Sequence, residues 1–134
     1  MPAYVTDTHP LIWHLTQDHA KLSPLARRIF EETDRGLHTV WIPSIVLVEV
    51  VYISEKKNIL PHGGSSFLTR LAGATNFRID PLDLPTVSAM QVIPRAKITG
   101  MPDRIIAATS LKLGLPLITA DPQITTSGLV PVAW

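Results

Sequence analysis

The chain has 134 residues, 46% of them hydrophobic and 17% charged, with a formal net charge of +1 and no cysteine. This composition excludes a disordered chain, a disulfide framework, a thiolate nucleophile and any cysteine metal site. It also excludes a global field that draws the protein onto a polyanion, so nucleic-acid binding would need a local patch.

The length fits one domain over residues 1–134. A domain of this size buries roughly two thirds of its unfolded surface and needs no staples. The slightly rich apolar share leaves room for a surface that a partner covers. The absence of cysteine fits a cytoplasmic protein. The N-terminus opens on a strand pattern rather than a basic, then apolar leader, and no apolar run approaches about 18 residues. Neither a signal peptide nor a membrane span is expected.

In chain order, residues 3–6 predict a short buried strand. Thr8 and His9-Pro10 begin a helix through Leu11, Ile12, Trp13 and Leu15, with proline in the first turn, where its missing N–H costs little. Ser23-Pro24 is a cap and first-turn proline for a second helix. Leu25, Ile29 and Phe30 line one side of it and Arg27, Arg28, Glu31 and Glu32 the other, with Gly36 as a stop. Residues 39–42 predict a strand, and Pro43-Ser44 begins a long apolar helix that turns charged at Glu55-Lys56-Lys57. Residues 58–66 predict a loop and 67–72 a helical stretch. A third strand is expected over 77–80, then a helix near 84–93 and an irregular basic segment over 94–101. Residues 102–113 predict a clear helix closed by Gly114. A strand follows at 117–119, and 130–133 forms a last edge strand, since Pro131 cannot donate to a ladder. Strands alternate with helices, and several strands are short unbroken apolar runs. That pattern predicts an α/β fold with a parallel sheet covered on both faces.

Four acids stand where acids are costly. Asp7 ends the run Ala3-Tyr4-Val5-Thr6, and Asp121 ends Leu117-Ile118-Thr119-Ala120. Glu49 interrupts Ile45-Val46-Leu47-Val48 and Val50-Val51-Tyr52-Ile53, and Asp103 opens the helix that follows Pro102. A carboxylate drawn into a core loses several kcal/mol of solvation unless a cation compensates. Each acid has a plainer reading. Asp7 is a possible helix cap, Asp103 a first-turn dipole residue, and Asp121 a turn residue before Pro122. Glu49 would snorkel or pair with Arg104. Together they supply one chemistry, and open parallel sheets place their sites at the carboxyl ends of strands. Hard cations such as Mg²⁺ and Mn²⁺ prefer oxygen ligands. A carboxylate cluster holding one or two of them suits phosphodiester hydrolysis without a Ser, Cys or His nucleophile.

Thr6-Asp7-Thr8-His9, the helix from Ser44 to Glu49, Pro102-Asp103-Arg104-Ile105-Ile106-Ala107-Ala108-Thr109 and Leu117-Ile118-Thr119-Ala120-Asp121 together resemble a PIN domain. More narrowly, they resemble VapC-type ribonuclease toxins of bacterial toxin–antitoxin pairs. The resemblance spans nearly the whole chain, in order. It implies a three-layer α/β/α sandwich with a short, mostly parallel central sheet, and Mg²⁺- or Mn²⁺-dependent RNA cleavage. The family's core acids map onto Asp7, Glu49, Asp103 and Asp121, and its Ser/Thr near the fourth acid onto Thr119. Many relatives carry a further Asp three residues before the third acid, where this chain has Gly100.

The five histidines make no metal pattern, and surface or capping roles are expected for them, with His9 of interest beside Asp7. Trp13, Trp41 and Trp134 are expected to pack in the core or at its edges. Arg104 is expected to pair with a site carboxylate or contact phosphate, and Arg95 and Lys97 to contact the RNA backbone. The chain lacks the Asp-x-Asp of haloacid-type phosphatases, the extra acid and Lys of phosphate receivers, and a P-loop.

The expected protein is therefore a cytoplasmic metal-dependent endoribonuclease toxin. The resemblance adds a cognate antitoxin, placed over the early helices around Trp13, Leu22 and Ile29, and a homodimer. The alternatives are a non-toxin RNA-processing nuclease of the same fold and a silent module that binds RNA or protein.

Overall fold

The computed structural model describes residues 2–59 and 64–134. The chain forms β1 (Ala3–Thr6), α1 (Thr8–Leu15), a 3-10 turn at His19–Lys21, α2 (Pro24–Asp34), β2 (Thr39–Pro43) and α3 (Ser44–Lys57). It continues as α4 (Gly64–Gly73), β3 (Phe77–Asp80), α5 (Leu84–Met90), α6 (Met101–Leu113), β4 (Leu117–Ile118), α7 (Pro122–Ser127) and β5 (Val132–Ala133).

The five strands form one sheet in the order β3-β2-β1-β4-β5, with every neighbouring pair parallel. Successive side chains of a strand point to opposite faces. Val5 and Thr6 are both fully buried, as are Leu117 and Ile118, so both faces of the centre are covered. The result is the expected α/β/α arrangement. Its core gathers Val5, Leu11, Phe30, Ile42, Ile106 and Ile118, each contributing roughly 2 kcal/mol by burial. As expected, β5 is an edge strand, and Pro131 serves it only as an acceptor, taking the Leu117 amide at 2.9 Å.

Local chemistry sets most boundaries. Ser23 caps α2 by accepting from the Ala26 amide at 3.0 Å, and Asp83 caps α5 through Thr86 at 3.1 Å. Gly114 ends α6 in the left-handed region at φ 66, where a glycine has no Cβ penalty. Lys112 of α6 donates to Asp80 at 2.6 Å and to Thr86 at 2.7 Å, fastening α6 to β3 and α5.

Several expectations require correction. The segment 58–66 is not all loop: α4 begins at Gly64, while residues 60–63, with His62, lie outside the described residues. Helix α5 stops at Met90 instead of near Ile93, and a turn follows. The strand expected to reach Thr119 ends at Ile118. Helix α7 was not expected at all, although Asp121-Pro122 is an N-cap and a first-turn proline. His14 is buried and stacks on Phe30, with ring centroids 4.8 Å apart, rather than sitting on the surface. Leu22 and Ile29 belong to the core and offer no docking face. Helix α3 is apolar all round, yet only Val46, Val50 and Ser54 are buried, while Val48 and Tyr52 are 49% and 69% exposed. Among the described residues no helix is long and apolar enough to cross a membrane.

Candidate active site

Strand β1 stands between β2 and β4, so β2 and β3 are added on one side of it and β4 and β5 on the other. This is a topological switch point, and the crevice outside its carboxyl ends is where ligands bind in open α/β sheets. The register pairs Thr6 with Ile118, and the Asp7 amide donates to the Ile118 carbonyl at 3.0 Å. The next residues in each strand direction, Asp7 and Thr119, are therefore brought side by side. The Thr119 hydroxyl donates to Asp7 Oδ2 at 2.6 Å and accepts from the Asp121 amide at 3.0 Å. One buried hydroxyl thus couples the acid after β1 to the acid after β4.

The other two acids arrive on helices. Glu49 lies on a half-buried flank of α3, and its Oε1 accepts from the Thr8 hydroxyl at 2.6 Å. Asp103 occupies the first turn of α6. Its carboxylate folds back over Gly100, where an added Cβ would lie 2.8 Å from Oδ2. All four acids line one cleft of about 510 Å³, together with Thr8, His9 and Trp13. No lysine or arginine lines it among the described residues.

The plainer roles of Asp7 as a helix cap and Asp103 as a first-turn acid are real and coexist with the clustering, while Asp121, expected in a turn, instead caps α7. Asp7 Oδ1 accepts from the Thr8 amide at 2.8 Å, and Asp121 Oδ1 accepts from the Gln123 amide at 2.8 Å. The electrostatics go beyond capping. Burial raises the Asp7 carboxyl above its ordinary value against the lowering hydrogen bonds from Thr119 and Thr8, and the Asp121 charge raises it further. Burial and then the charges of Asp7, Asp121 and Glu49 push Asp103 up to about 6. Like charges forced together in this way are uncomfortable without a cation.

The basic residues do not join the acids. Arg104 does not pair with a site carboxylate; its guanidinium turns away and donates to the carbonyls of Met90 and Ile93, both at 3.0 Å. Those two bonds hold the end of α5 onto α6. Arg95 and Lys97 are exposed on the segment between α5 and α6 and do not line the cleft. Thr8 is the residue that sequence reasoning passed over, having named it only as a helix start. A hydroxyl directly after a strand-end acid was the available signal. Replacing Thr8 with Val should release Glu49 and lower metal affinity about 10-fold or more with little loss of fold. Calorimetric titration with Mn²⁺ checks this.

The PIN domain family model matches residues 4–126. The chain belongs to the PIN domain family. No curated protein matches it at a significant level. Among solved structures, this PIN domain is similar to VapBC2 from Rickettsia felis bound to a DNA fragment from their promoter. The TM-score is 0.70 at 17% identity, covering 97% of this chain and 96% of that one. It is similar to DNA-bound VapBC from Salmonella typhimurium, at TM-score 0.69 and 19% identity over 98% and 97% of the two chains. FitAcB from Neisseria gonorrhoeae gives 0.67 and 18%, over 98% and 96%.

The donor set of this PIN domain fits a hard divalent cation: four carboxylates, the Thr8 hydroxyl and, among the described residues, no competing Lys or Arg in the cleft. Among the described residues, no three acids already converge at coordinating distance. Asp7 and Asp121 each spend an oxygen on a backbone amide, whereas the Thr8 bond holds Glu49 by Oε1 alone. A terminal carboxylate torsion is soft, so a cation that neutralises the clustered charge can draw these acids together. Gly100 belongs to this geometry. Its φ of −74 suits any residue, so Gly100→Ala should fold normally while displacing the Asp103 carboxylate. Mn²⁺ affinity should fall about 10-fold, with Tm in EDTA nearly unchanged.

Proposed function

We propose that this PIN domain is a metal-dependent endoribonuclease and the toxin of a toxin–antitoxin pair. The single observation that carries the reading is the meeting of Asp7, Glu49, Asp103 and Asp121 in one cleft at the β1/β4 switch point, without a basic side chain to neutralise them. These four would hold Mg²⁺ or Mn²⁺. A bound ion of that kind supplies Lewis-acid polarisation of a phosphate and lowers the pKa of water.

The chain's own residues then do the positioning. Thr119, directly after β4, fixes Asp7 and Thr8 fixes Glu49 from the start of α1, so two hydroxyls hold the acid after β1 and the acid on α3. Asp121 is turned by its own capping bond to Gln123 and acts directly or through water. His9 at the exposed rim is placed to meet the departing oxygen or an adjacent phosphate.

The RNA substrate is supported by the family resemblance of the four acids. The toxin role is supported by the fold shared with VapBC and FitAB structures. In this reading the whole chain acts as one domain in the cytoplasm, a cognate antitoxin covers the cleft, and two copies associate. The exposed Val48 and Tyr52 of α3 and Leu84 and Val87 of α5 supply an apolar surface for association, and both helices pack on α6.

The test is cleavage of a panel of tRNAs, rRNA and mRNAs with Mg²⁺ or Mn²⁺, with and without EDTA. Cleavage only with metal is expected. Persistent cleavage in EDTA sinks the metal mechanism, and no cleavage of any RNA favours a binding module. Growth arrest on expression, relieved by a neighbouring reading frame, separates a toxin from an RNA-processing enzyme.

A further inference from the structure

The carboxylate cleft is bounded on one side by His9 and Trp13. These two residues also line a second cleft of about 590 Å³, which runs on between the end of α1, the 3-10 turn and the last turns of α3. Its chemistry is the reverse of the first. Lys21 and Lys57 bring positive charge, and the one acid, Asp18, is paired with Lys21 at 3.1 Å. That pair is well exposed, so water screens it and leaves it weak and exchangeable. Ile12, Ile53 and Ile59 give the cleft apolar walls. At the junction the half-buried Trp13 ring sits 5.9 Å from the His9 ring and 6.3 Å from that of Trp134.

A strand entering the first cleft meets four carboxylates and no lysine or arginine. Its neighbouring phosphates need positive charge close by, and its unstacked bases need an apolar or aromatic platform. The second cleft offers both, next to the acids across His9 and Trp13. Arg95 and Lys97 line neither cleft.

We infer that the second cleft is the subsite for the nucleotide flanking the scissile phosphate of single-stranded RNA, with Trp13 and the isoleucine wall receiving the base and Lys21 and Lys57 receiving its phosphate. This rests on the nuclease reading and adds the path of the strand. Trp13 was expected to pack in the core or at its edge; its place in the lining of both clefts gives it a second role.

The experiment measures binding of a short fluorescein-labelled single-stranded RNA of mixed sequence by anisotropy. It uses the full chain carrying Asp7→Asn, in Mg²⁺, over a series of KCl concentrations. Each lysine removed by Lys21→Ala or Lys57→Ala should lower the slope of log Kd against log salt by about 0.7. Trp13→Ala should weaken binding about tenfold and Trp13→Phe should restore most of it, as stacking requires. Both lysines are exposed, so their variants should keep the parent Tm, which is measured alongside. An unchanged slope in the double lysine variant, with RNA still cut by the unsubstituted protein, overturns the subsite and leaves the nuclease reading standing. Retained RNA binding with loss of antitoxin binding also overturns it, making the cleft a protein interface. Failure of the unsubstituted protein to bind or cut any RNA overturns the nuclease reading and the subsite together.

Discussion

Replacing Asp7 with Asn should abolish RNA cleavage and raise the melting temperature in EDTA. The two effects have one cause. Asp7 is 7% exposed, and burial with the nearby Asp121 charge makes its ionised form costly. Asparagine caps a helix about as well as aspartate, so the bond to the Thr8 amide survives the change. Thr119 loses its acceptor at Oδ2, but its hydroxyl can rotate to accept from the new amide. The buried charge is gone and the fold gains. In the proposed mechanism the cation would lose a ligand, and since even an outer partner of a metal ligand is worth about 10–100-fold, single-turnover cleavage should fall more than about 100-fold. Differential scanning fluorimetry in EDTA reads the other half. Retained cleavage would remove Asp7 from the metal site. A drop of several degrees would make it a structural cap and nothing more.

The stabilisation given by Mg²⁺ should grow as pH rises through about 6, the value to which the Asp103 carboxyl is pushed from 3.8. The sign follows from proton counts. Between 3.8 and about 6 the folded chain holds a proton on Asp103 that the unfolded chain has released. Stability of the metal-free protein therefore declines as pH rises across that window, and the raised Asp7 carboxyl acts in the same direction. Above it the Asp103 carboxylate is ionised beside the other acids, which is the form a divalent cation binds. Protons and cation compete for the same oxygens. At about pH 7.5, Mg²⁺ at roughly 100 times its Kd contributes about 2.7 kcal/mol, or roughly 10 °C in Tm for a chain of this length. At about pH 5 the gain should be a small fraction of that. Equal gains at both values would show that the ion binds away from these acids.

Residues 100–121 show how far the sequence carries and where it stops. Pro102 and Gly114 bracket α6, and the apolar run between them makes a buried helix legible without any structure. Asp103 in its first turn was equally plain. The carboxylate's close fit over Gly100 was not, because it depends on a side-chain rotamer and a missing Cβ. Arg104 misled for the same kind of reason. It is next to Asp103 in sequence, but on a helix adjacent residues diverge by about 100° and do not face one another. Its guanidinium reaches α5 instead. Helix α7 could have been read from Asp121-Pro122, and was not because the pair also reads as a turn.

By itself the sequence determined the alternation of strands and helices, the parallel sheet, and four acids at strand ends, a helix start and an apolar helix. These follow from short-range periodicity, caps and the cost of burying charge. Tertiary structure alone decided that the acids share one cleft. The deciding bonds link Asp7 to Thr119 and Thr8 to Glu49, residues 112 and 41 positions apart. Local propensity carries no information over such distances; the β1–β4 register and the packing of α1 on α3 do. The same packing sets the cationic second cleft beside the acidic one with His9 and Trp13 lining both, an adjacency that no spacing of lysines along the chain announces.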